Sequence, residues 1–216
     1  SGPRIKASGS VKSLVRPVRK KPGGGERGAS DTKMPAMLKP DQPVNITADS
    51  LDYDSASSRA TYTGHAQLWQ SETTLKGESI VLDDKTGDLT ATAAATRTVL
   101  AQETKGKSGE KEHVTTIATA KDFRYEEAIH RATYAGDAHV SGPQGDMTAA
   151  KVELHLKPSG DELERLEAYE GVTLREANRR KTTGSRLTYF SSDERYVVGG
   201  TPVTVVDECA QPRLHG

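Results

Sequence analysis

The sequence predicts a chain that is almost wholly β. Three observations carry this. Residues 59–68 (RATYTGHAQL) return nearly unchanged at 131–140 (RATYAGDAHV), a shift of 131 − 59 = 72. Within each copy apolar and polar residues alternate with the period of two that marks a half-buried strand. Between the alternating runs stand short Gly, Pro, Asp and Ser clusters that permit tight reversals.

The repeat orders the elements. The shift of 72 also maps Leu51-Asp52-Tyr53-Asp54 onto Phe123-Arg124-Tyr125-Glu126, and a third copy follows at a shift of 64, taking Gly136 to Gly200 and Tyr125 to Tyr189. Each copy opens with a strand (NITADSLDYD, IATAKDFRYE, KTTGSRLTYF), makes a polar turn (SASS, EAIH, SSDE), and continues with a strand carrying a central glycine. In the first two copies two further strands follow, parted by Asp84–Asp88 and by Lys157–Asp161. Along 60–68, Ala60, Tyr62, Gly64, Ala66 and Leu68 share one face, against Thr61, Thr63, His65 and Gln67. The same split recurs one copy later, so one face is dry and one wet. The stretch 160–171 (GDELERLEAYEG) has helical propensity but occupies the place of GDLTATAAATRT in the previous copy, and is assigned as a strand for that reason.

These signals divide the chain. Residues 1–15 read as the last strand of a preceding repeat. Residues 16–43 form a Pro- and Gly-rich linker, with seven basic and three acidic residues. Residues 44–101 are a repeat, 102–116 a flexible insertion, 117–176 a second repeat, and 180–216 a partial, truncated one. The odd ends read as those of a piece of a longer periplasmic or secreted chain. The linker reads as solvated, with an anionic-surface contact as the alternative.

Composition limits the functions available. Thirty basic and thirty acidic residues leave no net field to attract nucleic acid. Only 33% of residues are hydrophobic, which favours thin layers over thick cores. No apolar run approaches the roughly 20 residues of a membrane helix. Cys209 stands alone, so no internal disulfide forms, and it reads as an inert thiol. The histidines (65, 113, 130, 139, 155 and 215) show no metal-ligand spacing. Gly106-Lys107-Ser108 lacks the earlier glycine of a phosphate loop, which falls on Ala101. The aspartates at 49, 52, 54, 83 and 84 read as turn caps. No catalytic residue, cofactor or metal site is assigned.

A pattern now stands out: Ile46, Ala48, Asp49, Leu51, Tyr53, Asp54, then Tyr62, Gly64, Ala66, Leu68, then Leu75, Ile80, Leu82, then Gly87 and Leu89. It recurs through Phe123, Tyr125, Tyr134, Gly136, Ala138 and Val140. This resembles the OstA-like domain of the lipopolysaccharide-transport proteins, over roughly residues 44–207. The resemblance implies an OstA-like open β-jellyroll of repeated antiparallel strands, two sheets bent as a half-closed V. It also implies a periplasmic location, a dry groove that holds acyl chains, and stacking on other jellyroll domains of a transport bridge through edge strands. Ala94 and Ala95 depart from the pattern, standing where Gly9-Ser10-Val11 and Gly171-Val172 suggest Gly-x-Val.

The residues suit such a groove on their own terms. The dry face mixes small residues (Ala60, Ala132 and Ala149 among them) with large ones. Small side chains underfill the ~10 Å between packed sheets, and each lipid methylene buried there contributes roughly 0.8 kcal/mol. The candidate groove is lined by Ile46, Ala48, Leu51, Tyr53, Tyr62, Ala66, Leu68, Ile80, Leu82, Phe123, Tyr125, Tyr134, Ala138, Val140, Val152 and Leu154. Its expected partner is lipopolysaccharide or a similar acylated lipid, carried without an enzymatic step. Two alternatives stand beside this reading: a structural or adhesive β-repeat protein with a packed interior, and a polysaccharide-acting enzyme on a β-solenoid. The latter would need convergent carboxylates where the wet faces offer Thr, Gln and His.

Overall fold

In the computed structural model the described residues are 3–16, 33–39, 41–103, 111–142, 145–176 and 180–207. They form twelve antiparallel strands in a single sheet: β1 (Arg4–Val15), β2 (Val44–Asp54), β3 (Arg59–Gln70), β4 (Thr73–Asp83), β5 (Leu89–Glu103), β6 (Lys111–Glu126), β7 (Arg131–Gly142), β8 (Gly145–Leu156), β9 (Leu163–Arg175), β10 (Arg180–Phe190), β11 (Arg195–Gly199) and β12 (Thr204–Asp207). Spatial order follows sequence order from β1 to β11, and β12 also pairs with β10. From β1 to β11 each strand thus lies beside the one it follows, as short connections favour from β2 onward. The Glu-rich 160–171 segment is strand, as the repeat required: β9 pairs with β8 on one side and β10 on the other.

The expected two sheets are instead one, creased across the middle of its strands. Ladder after ladder slips at the same level: at Ser8/Val11, Thr47/Ser50, Thr63/Ala66, Thr119/Asp122, Ala135/Ala138, Thr148/Lys151 and Gly184/Arg186. Bulges bend strands and increase their twist. Aligned in a row, they fold the sheet into two arms. The lower arm carries the turns at 55–58, 84–88, 127–130 and 157–162; the upper arm carries the opposite strand ends. At the last edge the crease divides a strand outright. β11 pairs with the lower half of β10 (186–190) and β12 with its upper half (180–183).

Two glycines show why the crease needs them. Gly64 (φ +80°) and Gly136 (φ +78°) lie one repeat apart. A Cβ on Gly64 would stand 2.3 Å from the Asp49 carboxylate, and one on Gly136 2.9 Å from Lys121 Cβ. The neighbouring strand's side chain lies directly over each glycine.

Folding brings the dry faces together. One apolar cluster runs through every strand from β2 to β10. At the crease, the apex of the fold, buried alanines (Ala48, Ala66, Ala94, Ala138 and Ala149) lie among large members next to the same slips (Tyr62, Ile80, Phe123, Tyr134 and Val152).

Two segment boundaries are corrected. The expected insertion at 102–116 is mostly ladder, since β5 continues to Glu103 and β6 begins at Lys111, paired Glu103↔Lys111 through Thr98↔Thr116. Thr98, Val99, Val114, Thr115 and Thr116 are β-branched, which suits a ladder, and Leu100 is buried. The expected linker at 16–43 falls partly outside the described residues (17–32 and 40), but 33–39 is no solvated tether: Pro35, Met37 and Leu38 are buried. The expected truncated repeat at 180–216 is described as far as Asp207, and Cys209 lies outside the described residues.

Candidate functional site

The candidate site is the interior between the arms. All sixteen predicted groove residues face it. Fourteen are buried, and Leu51 and Tyr53 pack half-buried against its lower rim. Strict alternation holds along β3, where Tyr62 and Leu68 share parity. It slips by one at the crease in β2, where Ile46 and Ala48 give way to Leu51 and Tyr53. The bulge absorbs the odd residue, so both sets still point inward.

The interior holds its few polar atoms in specific contacts. Phe123 and Tyr134 pack with ring centroids 5.1 Å apart, in the tilted arrangement that aromatic pairs favour. The Tyr134 hydroxyl meets Thr96 Oγ1 at 2.8 Å, and burial pushes its pKa up to about 12. Tyr189 and Tyr196 form a second tilted pair at 4.9 Å. The Tyr125 and Tyr196 hydroxyls are buried without a hydrogen-bond partner.

The expectation that small residues leave room for a guest needs amending. A partly open pocket of about 40 Å³ lies between the side chains of Leu100, Val140, Met147, Leu166, Leu174 and Tyr189. That suits a water or two, not an acyl chain. A larger cleft of about 470 Å³ opens at the rim, between Ala36, Met37, Lys39, Asp41, Gln70–Thr73, Val99, His113, Ser159 and Asp161.

The outer face carries charge. Glu153, His155 and Glu167, from neighbouring strands β8 and β9, place ligand-type atoms within 4.8 Å of one another, a cluster that sequence spacing does not show. Cations already serve its carboxylates: Lys151 lies 3.0 Å from Glu153, and Arg165 and Arg186 lie 3.0 and 3.3 Å from Glu167. Burial and then Arg165 depress the His155 pKa. His65 and His139 sit on the wet face, as expected, against Asp49 (2.9 Å) and Asp146 (2.5 Å).

Sequence reasoning missed the segment that lies across the mouth of this interior. Lys33 N donates to Asp84 O, and Ala36 N to Glu127 Oε2 at 2.7 Å, both on the lower arm. Lys39 N donates to Gln70 Oε1, and Gln70 Nε2 donates back to Lys39 O and Gln42 O at 2.9 Å, on the upper arm. The available signal was Pro35-Ala36-Met37-Leu38, an apolar run inside a polar stretch.

An open antiparallel sheet folded on its own dry face, with a free strand at each end, defines the class: an edge-exposed β-roll. Residues 45–126 match the family model described as LptA/(LptD N-terminal domain) LPS transport protein. Among solved structures, LptH aligns with 85% of this chain and 100% of its own, at 17% identity and a TM-score of 0.41. It is described as the LptA homologous periplasmic component of the conserved lipopolysaccharide transport device from Pseudomonas aeruginosa. No curated protein matches the chain.

Proposed function

We propose that this chain is a periplasmic, non-enzymatic element of lipopolysaccharide transport that holds the lipid's acyl chains against the dry face between its arms. The observation that carries this is the continuity of the apolar interior across successive strands, in a chain whose 45–126 stretch matches a lipopolysaccharide-transport family. The sixteen groove residues are the proposed lining. The partners are lipopolysaccharide or a similar acylated lipid, and neighbouring jellyroll domains that extend the sheet at its edges. Exposed Ile5 and Leu14 on β1, and Val197, Val205 and Val206 at the other end, give both edges apolar surface for strand addition.

One observation favours the alternative of a packed structural repeat, namely that the pocket between the large inward side chains holds only about 40 Å³. The two readings part on whether the arms separate. A photo-crosslinking residue at Tyr62 on the dry face, and another at Thr63 on the wet face, in cells making lipopolysaccharide, decides between them. Lipid adducts at Tyr62 alone support the groove. Folded, correctly located protein with no adduct at either position favours the packed repeat.

A further inference from the structure

We propose that residues 33–39, latched with Gln42, form a displaceable plug in the mouth of the interior, and that Met37 and Leu38 occupy the place an incoming acyl chain takes. This rests on the lipid-holding reading above. The segment ties the arms together across their open rims. On the lower arm, Ala36 N is held by Glu127, and the Ala36 carbonyl lies so close over Gly160 that a Cβ there would stand 1.9 Å from its oxygen. On the upper arm, Gln70 clasps the backbone at Lys39 and Gln42, and Ser71 Oγ meets Gln42 Oε1 at 2.5 Å.

Three facts make it a plug rather than a fixed part of the core. First, the pocket between the large inward side chains holds only about 40 Å³, so an acyl chain must displace something. Among the described residues, Met37 and Leu38 are the only members of the apolar cluster outside the strands. Every other member is anchored by ladder hydrogen bonds, which must break before it leaves. Met37 and Leu38 leave when a few side chain–backbone contacts open. Second, the seated segment covers a cost. The Tyr125 hydroxyl lies beside Glu127 and the Met37 backbone, yet is buried without a well-formed hydrogen bond. Withdrawal of Met37 would let water or a lipid oxygen reach it. Third, the rim cleft of about 470 Å³ borders the plug along Ala36, Met37, Lys39 and Asp41. A path into the interior therefore lies beside the piece that would move.

The test uses the full chain and lipopolysaccharide labelled with fluorescein on its sugars, with association followed by stopped-flow anisotropy. Gln70→Ala removes the upper latch and Glu127→Ala the lower one, while Gln67→Ala, on the outer face of the same strand as Gln70, is the control. The proposal expects each latch variant to associate about tenfold faster than wild type, as the loss of one or two hydrogen bonds implies. Gln67→Ala is expected to match wild type. Equal rates in all four proteins would overturn the plug and leave the groove standing. No association by any of them would overturn both. Should a latch variant fail to fold, by far-ultraviolet circular dichroism, amide exchange on wild type decides. Faster exchange at Ala36 and Lys39 on adding the labelled lipid supports displacement, and slower exchange there overturns it.

Discussion

Lys121 Nζ and Asp137 Oδ2 stand 2.7 Å apart at the crease of the sheet. One repeat earlier, Asp49 and His65 hold the same two places at 2.9 Å, with the signs of charge reversed. In both copies the residue before the second partner is a glycine at positive φ. What recurs is the geometry, a bridging side chain passing over a glycine. Which end carries the positive charge is free to change.

The crease glycines should therefore tolerate substitution unequally. At Gly64 and Gly136 an added Cβ meets Asp49 or Lys121 side-chain atoms at 2.3 and 2.9 Å, while at Gly9 and Gly171 it meets nothing within 4 Å. Gly171→Ala should cost only the conformational term of roughly 1–2 kcal/mol. Gly64→Ala should cost more, about 2–4 kcal/mol, because a close contact adds to that strain. Urea unfolding of the two variants, compared at constant m-value, checks the order.

The histidines should pull stability in opposite directions with pH. Hydrogen bonding to Asp49, then its charge, raises the His65 pKa. The contribution of this pair is complete below the unfolded value of about 6.5 and is lost as pH rises through the higher folded value. Burial, then Arg165, lowers the His155 pKa. Full stability from that site is present above about pH 6.5 and is lost as pH falls through its lower folded value. Side-chain NMR titration should place the His155 midpoint below that of His65, and Asp49→Asn should move only the His65 midpoint downward.

Enlarging an apex alanine should destabilise although it adds apolar surface. Ala138 is buried beside the crease, facing Ala149 across the ladder. Ala138→Leu is expected to cost about 1–3 kcal/mol through overpacking and to wedge the arms apart, raising the binding of a hydrophobic dye. A variant as stable as wild type, with unchanged dye binding, would show that the apex has slack.

Removing the apolar surface of the free edges should leave the fold intact. Ile5 and Leu14 on β1 are 57% and 49% exposed, so Ile5→Lys with Leu14→Lys should change the unfolding free energy by no more than about 0.5 kcal/mol. Concentration-dependent association, measured by light scattering, should fall in the variant if β1 is a docking edge.

The strands, their order and the inward faces were legible because an antiparallel meander is local. From β1 to β11 each strand pairs with its chain neighbour, so alternation and turn residues suffice. The same locality explains why the 160–171 segment could be assigned against its helical propensity: its place in the repeat outweighed its composition. The inward-facing positions were legible too, since a bulge that slips the alternation by one still returns Leu51 and Tyr53 to the face shared by Ile46 and Ala48.

What the sequence by itself determined is the all-β meander, its period and its dry face, all consequences of contacts between residues near one another in the chain. What only the tertiary structure decided is where separated segments meet. It made one creased sheet of an expected pair, because a row of single-residue bulges adds up only when the strands lie side by side. And it drew Met37 and Leu38 out of an apparent linker into the core, because the two rims that hold them, at Gln70 and at Glu127, lie 57 residues apart in sequence (127 − 70 = 57) and become neighbours of one segment only once the sheet has folded.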